Sequence, residues 1–234
     1  MDEICRRVRG GEIIHLTTPS QFNPIFNFLT LKFEKALNIN ETLAQEFSSI
    51  DGGRYCGGVA SVVAELDQTL EHYRIMAQCL ASTGIAHEEA FLRITLDKSL
   101  RTARSGQYKK NYGYLHHKDS WFDLSPDGVN IVIYLTDVPY EANTIFYKKY
   151  FQALLTYDAP TKKPVGFSTD NDLGEITTFD CKAGDVLIFA GDHLHSGPRF
   201  EIDRLSIEFR LSQLWEFGRP AQDIFYQPVS DFLK

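Results

Sequence analysis

Near Gly84 the apolar residues of this chain change their period. Before it, Phe22, Ile25, Phe26, Leu29 and Phe33 recur at helical spacing, which predicts a helix over Gln21–Leu37 with Ser20 as its cap. A second stripe, Val59, Val62, Val63, Leu66, Leu70, Tyr73 and Ala77, predicts a long helix over Val59–Ala81, with Glu65, Asp67, Glu71 and Arg74 off the stripe. Gly52, Gly53, Gly57 and Gly58 break the chain between them. After Gly84, Phe91, Arg93 and Thr95 alternate with Leu92, Ile94 and Leu96, as in a strand. Further strands are expected at about 111–117, 129–136, 143–150, 174–179, 185–190 and 204–214. Turn chemistry separates them: Ser125-Pro126-Asp127-Gly128, Tyr157-Asp158-Ala159-Pro160, Ala183-Gly184-Asp185 and Gly197-Pro198. Many short strands with regular turns suggest a sandwich or jelly roll. Helices first and strands later place the helices on one face of that β core. The expectation is one domain over residues 1–234, mainly β, with a helical part over about 1–85 and a jelly-roll core over about 86–216.

Composition narrows the function classes. With 234 residues and 43% hydrophobic content the chain can bury one core, and its net charge of −7 argues against a nucleic-acid-binding surface. No apolar run approaches the roughly 18 residues that span a bilayer. The start, Met-Asp-Glu-Ile-Cys-Arg-Arg, lacks the layout of a secretory signal. Cys5, Cys56, Cys79 and Cys181 are far apart and form no CxxC pair, so neither a zinc knuckle nor a disulfide scaffold is expected. A reducing, cytoplasmic location follows as an expectation. The aromatic residues are expected mostly in the core of a β-rich fold.

Chemistry is concentrated in two segments. Side chains two apart in a strand face the same side, so His117 and Asp119 can point into one cavity while His116 and Lys118 point away. Further on, Ala183–Asp192 reads as turn, buried strand, turn, and is followed by His193 and His195. These two are also two apart; His195 is the preferred ligand. Two imidazoles and one carboxylate can hold Fe(II) on one face and leave other positions open. After a loop, Arg204, Ser206 and Glu208 share one strand face, and Leu205, Ile207 and Phe209 the other. A buried Arg needs a partner. An incoming carboxylate, clamped by Arg204 with help from the Ser206 hydroxyl, would serve.

The series His117-x-Asp119, Asn130–Pro139, Gly184-Asp-Val-Leu-Ile-Phe-Ala190, Leu194-His-Ser-Gly-Pro198 and Arg204-x-Ser206 resembles the Fe(II)- and 2-oxoglutarate-dependent dioxygenases, most of all their phytanoyl-CoA-dioxygenase-like branch. The resemblance covers roughly residues 90–214. It implies a double-stranded β-helix (a cupin-like jelly roll), Fe(II) held by His117, Asp119 and His195, and 2-oxoglutarate held by Arg204 and Ser206. It also implies that O2 is consumed, with release of succinate and CO2 and hydroxylation of a C–H bond. Related halogenases carry Gly or Ala in place of the carboxylate, so Asp119 favours hydroxylation over chlorination. Two departures bear on substrate class: Ala142–Lys149 lacks the branch's Gly-rich turn and Pro-Gly-Ser-His, and Arg199 stands where Asn is frequent.

Tyr114 and Tyr134 are candidates for flanking the oxo-acid pocket. Arg101, Arg104, Tyr108, Lys109, Tyr112 and Trp121 surround the HxD segment in sequence, and of these Arg101, Tyr112 and Trp121 are taken as substrate candidates. The expected substrate is a small polar metabolite or natural-product intermediate, with neither nucleic acid nor membrane as partner and a homodimer left open. The rival readings are a metallo-cupin of another reaction type and a catalytically silent binding protein. A cupin would more often show His-x-His followed by Glu, and has no role for Arg204-x-Ser206.

Overall fold

The computed structural model describes residues 3–38, 66, 69–84, 91–96, 116–121, 128–158, 163–168, 170–197, 205–212 and 227–233. Its helices are α1 (Glu3–Arg9), α2 (Asn23–Asn38) and α3 (Glu71–Thr83). Its strands are β1 (Ile14–Leu16), β2 (Phe91–Leu96), β3 (Val129–Tyr134), β4 (Ile145–Phe146), β5 (Tyr157–Asp158), β6 (Lys163–Pro164), β7 (Val186–Ala190), β8 (His195–Ser196), β9 (Ser206–Ser212) and β10 (Gln227–Pro228). Six of them form one antiparallel sheet in the order β1-β7-β3-β9-β2-β10. β4 pairs with β8, and β5 with β6. The protein is thus mainly antiparallel β with helices.

Period-two alternation divides the large sheet into two faces. Val129, Ile131 and Ile133 of β3, Val186, Ile188 and Ala190 of β7, and Ile207, Phe209 and Leu211 of β9 pack against Cys5 and Val8 of α1, Ile25, Leu29 and Phe33 of α2, and Met76, Ala77 and Leu80 of α3. Burying each such Val, Leu, Ile or Phe side chain contributes about 1.5–3 kcal/mol. The opposite face is mixed. Val132, Tyr134, Leu187 and Phe189 join Phe146 of β4 in a second apolar cluster. Asn130, Ser206, Glu208 and Arg210 share the parity of these residues, and register sets Asn130 opposite Arg210, Val132 opposite Glu208 and Tyr134 opposite Ser206. The helix-facing side therefore carries the stability, and the other side carries the polar groups.

Several elements differ from expectation. Ser20 does not cap α2. It opens a 3-10 turn, Ser20–Phe22, with no capping side-chain bond, and Pro24 occupies the first turn of α2, where a missing N–H costs nothing. The long helix is interrupted: α3 starts at Glu71, after Leu70 in the left-handed region at φ 54. Residues 59–65 lie outside the described residues. Gly84 ends α3, also left-handed at φ 72, and returns its N–H to Leu80 and Ala81. The strand expected at 143–150 is only Ile145–Phe146, because its partner β8 is two residues long, and a 3-10 turn follows at Lys148–Tyr150. At 174–179 only Thr177 bridges, to Phe146. Of 111–117, only His116 and His117 are described. Among the described residues no helix is long and apolar enough to cross a membrane.

Candidate metal centre

His117 and His195 face each other across an isolated antiparallel bridge. Each donates its backbone N–H to the other's carbonyl, at 2.8 and 2.9 Å. Residues opposed in this way carry their side chains to one side of the pair. The two imidazole centroids are accordingly 4.3 Å apart. Asp119 joins them, although not by strand parity, because it opens a 3-10 turn, Asp119–Trp121. The residues on either side of it set its direction. The buried Lys118 turns away and donates to Ala153 O at 3.0 Å and to Asp192 Oδ1 at 3.1 Å. Ser120 Oγ donates to the same Asp192 oxygen at 3.0 Å, and Ser120 N–H to Gly191 O at 3.1 Å. Asp192 thus staples the HxD segment to the loop after β7.

The ligand atoms of His117, Asp119 and His195 all lie within 4.8 Å of one another. His117 Nε2 is 3.6 Å from Asp119 Oδ1, and His195 Nε2 is 3.8 Å from Oδ2. His195 Nδ1 faces the His193 carbonyl at 3.0 Å. A carbonyl only accepts, so Nδ1 carries the proton and Nε2 presents its lone pair to the centre. Two outer groups hold the carboxylate. Asn130 Nδ2 donates to Asp119 Oδ2 at 2.6 Å, and Arg210 Nη2 to Oδ1 at 3.1 Å. Arg210 is oriented in turn by Glu208, its Nε donating to Oε1 at 2.6 Å. Because the carboxylate needs a donor, the Asn130 amide cannot be flipped, and its buried Oδ1 has no hydrogen-bond partner among the described residues.

Charge states follow from this packing. Burial raises the Asp119 carboxyl, but the Arg210 guanidinium and the two imidazoles outweigh it and hold the group well below the usual carboxylate range. Burial, then the neighbouring His117, push His195 down to about 4. At neutral pH the cluster therefore offers a carboxylate and a neutral His195 imidazole. An N, N, O donor set of this kind, closed on one side by protein, fits a divalent first-row cation such as Fe(II).

The other candidates fall elsewhere. His116 turns from the centre and sits 3.0 Å from the Tyr147 hydroxyl. His193 is fully buried between Ala190 O at 3.2 Å and Gly11 O at 3.1 Å, and packs on Phe151; it is a core residue. Ser206 is buried on the polar face opposite Tyr134, whose hydroxyl donates to Asn143 Oδ1 at 2.7 Å. Trp121 packs against Tyr157 of β5 with centroids 5.0 Å apart and the rings tilted by 37°. Arg101, Tyr112, Tyr114 and Arg204 lie outside the described residues. Asn130 and Arg210 were not among the sequence candidates. A polar residue inside the otherwise apolar run Val129–Tyr134, and an Arg with the parity of Ser206, were the available signals.

No protein-family model matches the chain, and no curated protein sequence is significantly similar to it. Solved structures are similar. EvdO2 from Micromonospora carbonacea var. aurantiaca, complexed with 2-oxoglutarate, matches at a TM-score of 0.50 and 12% identity, over 90% of this chain and 90% of its own. HygX from Streptomyces hygroscopicus, with nickel and 2-oxoglutarate bound, matches at a TM-score of 0.49 and 16% identity, over 92% of this chain and 88% of its own. The epimerase SnoN, in complex with Fe3+, alpha ketoglutarate and nogalamycin RO, matches at 0.47 and 15% identity, over 89% and 83%. The likeness to EvdO2 extends over nearly the whole of both chains and shows a shared fold.

Proposed function

We propose that the chain is a non-haem Fe(II)- and 2-oxoglutarate-dependent oxygenase of the phytanoyl-CoA-dioxygenase-like branch. In this reading the sheets form a double-stranded β-helix, and the reaction hydroxylates an unactivated C–H bond of a small polar metabolite or natural-product intermediate. One observation carries it: three ligand atoms of the type that holds non-haem iron converge within 4.8 Å, from two segments more than seventy positions apart in sequence. That EvdO2, of the same fold, is complexed with 2-oxoglutarate supports the co-substrate.

His117, Asp119 and His195 would hold the iron. Fe(II), when bound, supplies the O2 activation that couples decarboxylation of 2-oxoglutarate to oxidation of the substrate. The protein's own groups do the rest. Asn130 orients the Asp119 carboxylate through one oxygen, and Arg210 holds the charge on the other until a cation takes it over. Arg204 and Ser206 bind the far carboxylate of 2-oxoglutarate, with Tyr134 across the β3–β9 pair from Ser206. Trp121, two residues past Asp119, is the aromatic candidate for contact with substrate. Retention of Asp119 leaves no halide position, which favours hydroxylation.

Anaerobic addition of Fe(II) and 2-oxoglutarate together tests the reading. A visible absorption band that needs both, and that disappears in Asp119→Ala, is expected, followed by succinate when O2 is admitted. Iron binding without a 2-oxoglutarate-dependent band would establish a different metallo-enzyme. A folded protein that binds neither would establish a silent binding protein.

A further inference from the structure

A second group of ligating side chains lies away from this centre. His15 of β1, Cys181 and Asp185 bring an imidazole nitrogen, a thiol sulfur and a carboxylate oxygen within 4.8 Å of one another. Asp185 immediately precedes β7, whereas Asn130, the partner of Asp119, pairs with Phe189 four residues along that strand. At about 3.3 Å per residue the two clusters are on the order of 13 Å apart.

We propose that His15, Cys181 and Asp185 form a cation site of their own for a borderline divalent ion, Zn2+ or Co2+, which ties β1 to the turn before β7. One thiolate, one imidazole and one carboxylate, with a water as fourth ligand, is a tetrahedral zinc donor set. The outer contacts such a site needs are already formed. Asn143 Nδ2 donates to Cys181 Sγ at 3.2 Å, and Asn143 is itself held by the Tyr134 hydroxyl at 2.7 Å and Phe179 O at 3.0 Å. Backbone N–H groups of Thr18 and Lys182 donate to Asp185 Oδ1 and Oδ2, at 2.9 and 2.8 Å. None of these contacts has to break when an ion enters. The one that does is His15 Nε2 to Asp185 Oδ2, at 2.9 Å; the imidazole moves its proton to Nδ1 and turns the Nε2 lone pair to the ion.

Access and fit are consistent with this. Asp185 and Cys181 are buried and fixed, while the His15 side chain, on the edge strand of the sheet, is 23% exposed. Bonds of about 2.0–2.3 Å hold tetrahedral ligand atoms about 3.3–3.7 Å apart, so closing on the ion asks for a movement of about 1 Å, which His15 can make. The thiol gives its proton to solvent as the ion binds.

Cobalt titration of the metal-free full-length protein tests the proposal without reference to catalysis. The His117–Asp119–His195 cluster contains no sulfur, so a thiolate-to-cobalt charge-transfer band in the near ultraviolet cannot come from it, and Cys181→Ser separates Cys181 from Cys5, Cys56 and Cys79. The band is expected to saturate with one cobalt at this site, which is one equivalent in His117→Ala and up to two in the wild type, where the first centre also fills, and to vanish in Cys181→Ser. His15→Gln, which keeps a hydrogen bond to Asp185, is expected to weaken Zn2+ competition at least tenfold, and serves if Cys181→Ser does not fold. No band in the folded wild-type protein, or an unchanged band in either site variant, overturns the proposal.

Discussion

Replacing Arg210 by Met would separate what holds Asp119 in the metal-free protein from what holds it in the loaded one. In the free protein Arg210 is the only permanent cation described on this carboxylate, at 3.1 Å, and both side chains are nearly buried, at 12% and 4% exposure. Removing a charge-assisted hydrogen bond costs about 1.5–3 kcal/mol. Loss of the charge also leaves the burial of Asp119 uncompensated, and protonation of the carboxyl limits that penalty. A net loss of about 2.5 kcal/mol corresponds, at about 2–4 °C per kcal/mol for a chain of this size, to a fall in Tm of about 5–10 °C in the presence of chelator. With iron bound, the ion takes over the role of the guanidinium and no longer meets its repulsion. The fall in anaerobic Fe(II) should then shrink by about 1.4 kcal/mol, which is a tenfold gain in affinity for the ion. Scanning calorimetry with and without Fe(II) reads both numbers. Arg210→Lys, which keeps the charge, should stay near wild type. The double variant Arg210→Met/Glu208→Gln removes any contribution from the lost Glu208–Arg210 bond. Equal falls with and without iron, or no fall at all, would refute the argument that Arg210 and the cation compete for one carboxylate.

Other positions make separate predictions. His72 is fully buried on α3, with no hydrogen-bond partner for either ring nitrogen among the described residues, and burial pushes it down to about 4. Its folded value is below its unfolded value, so the neutral ring is tolerated above pH 6.5 and stability is lost as pH falls towards 4, by up to about 3 kcal/mol. Urea unfolding of His72→Leu should lose that share of the pH dependence; an unchanged slope would exclude it. Lys118→Met removes the buried cation from Asp192 and should cost about 3 kcal/mol while weakening metal binding, since the staple aims Asp119. Unaltered metal affinity in folded Lys118→Met would disconnect the staple from the centre. Leu70→Gly relieves a left-handed backbone at a partly exposed position and should raise stability by about 1 kcal/mol. A lower Tm would show that the Leu70 side chain outweighs its backbone.

Strand parity read the polar face of β9 correctly: Ser206 and Glu208 stand apart from Ile207 and Phe209, as alternation requires. It placed His117 and Asp119 together for a reason that only half applies. His117 is in a bridge, but Asp119 is in a turn, and its direction comes from the contacts of Lys118 and Ser120 with Asp192, more than seventy positions away. Arg210 and Asn130 were missed because their meaning depends on register. Nothing local says that β9 lies beside β3, or that Arg210 reaches a carboxylate 91 positions away. The apolar stripe through Leu66, Leu70 and Tyr73 looked continuous because hydrophobic period reports burial and is silent on the sign of φ. β4 was overestimated for a similar reason: its length is set by the two residues of β8.

The reciprocal backbone bridge between His117 and His195 ties the fates of the two imidazoles together. Neither backbone can move away while both N–H···O bonds stand, and both bonds rupture in one local opening. The amides of these two residues should therefore exchange with solvent hydrogen at a common rate, as one cooperative unit.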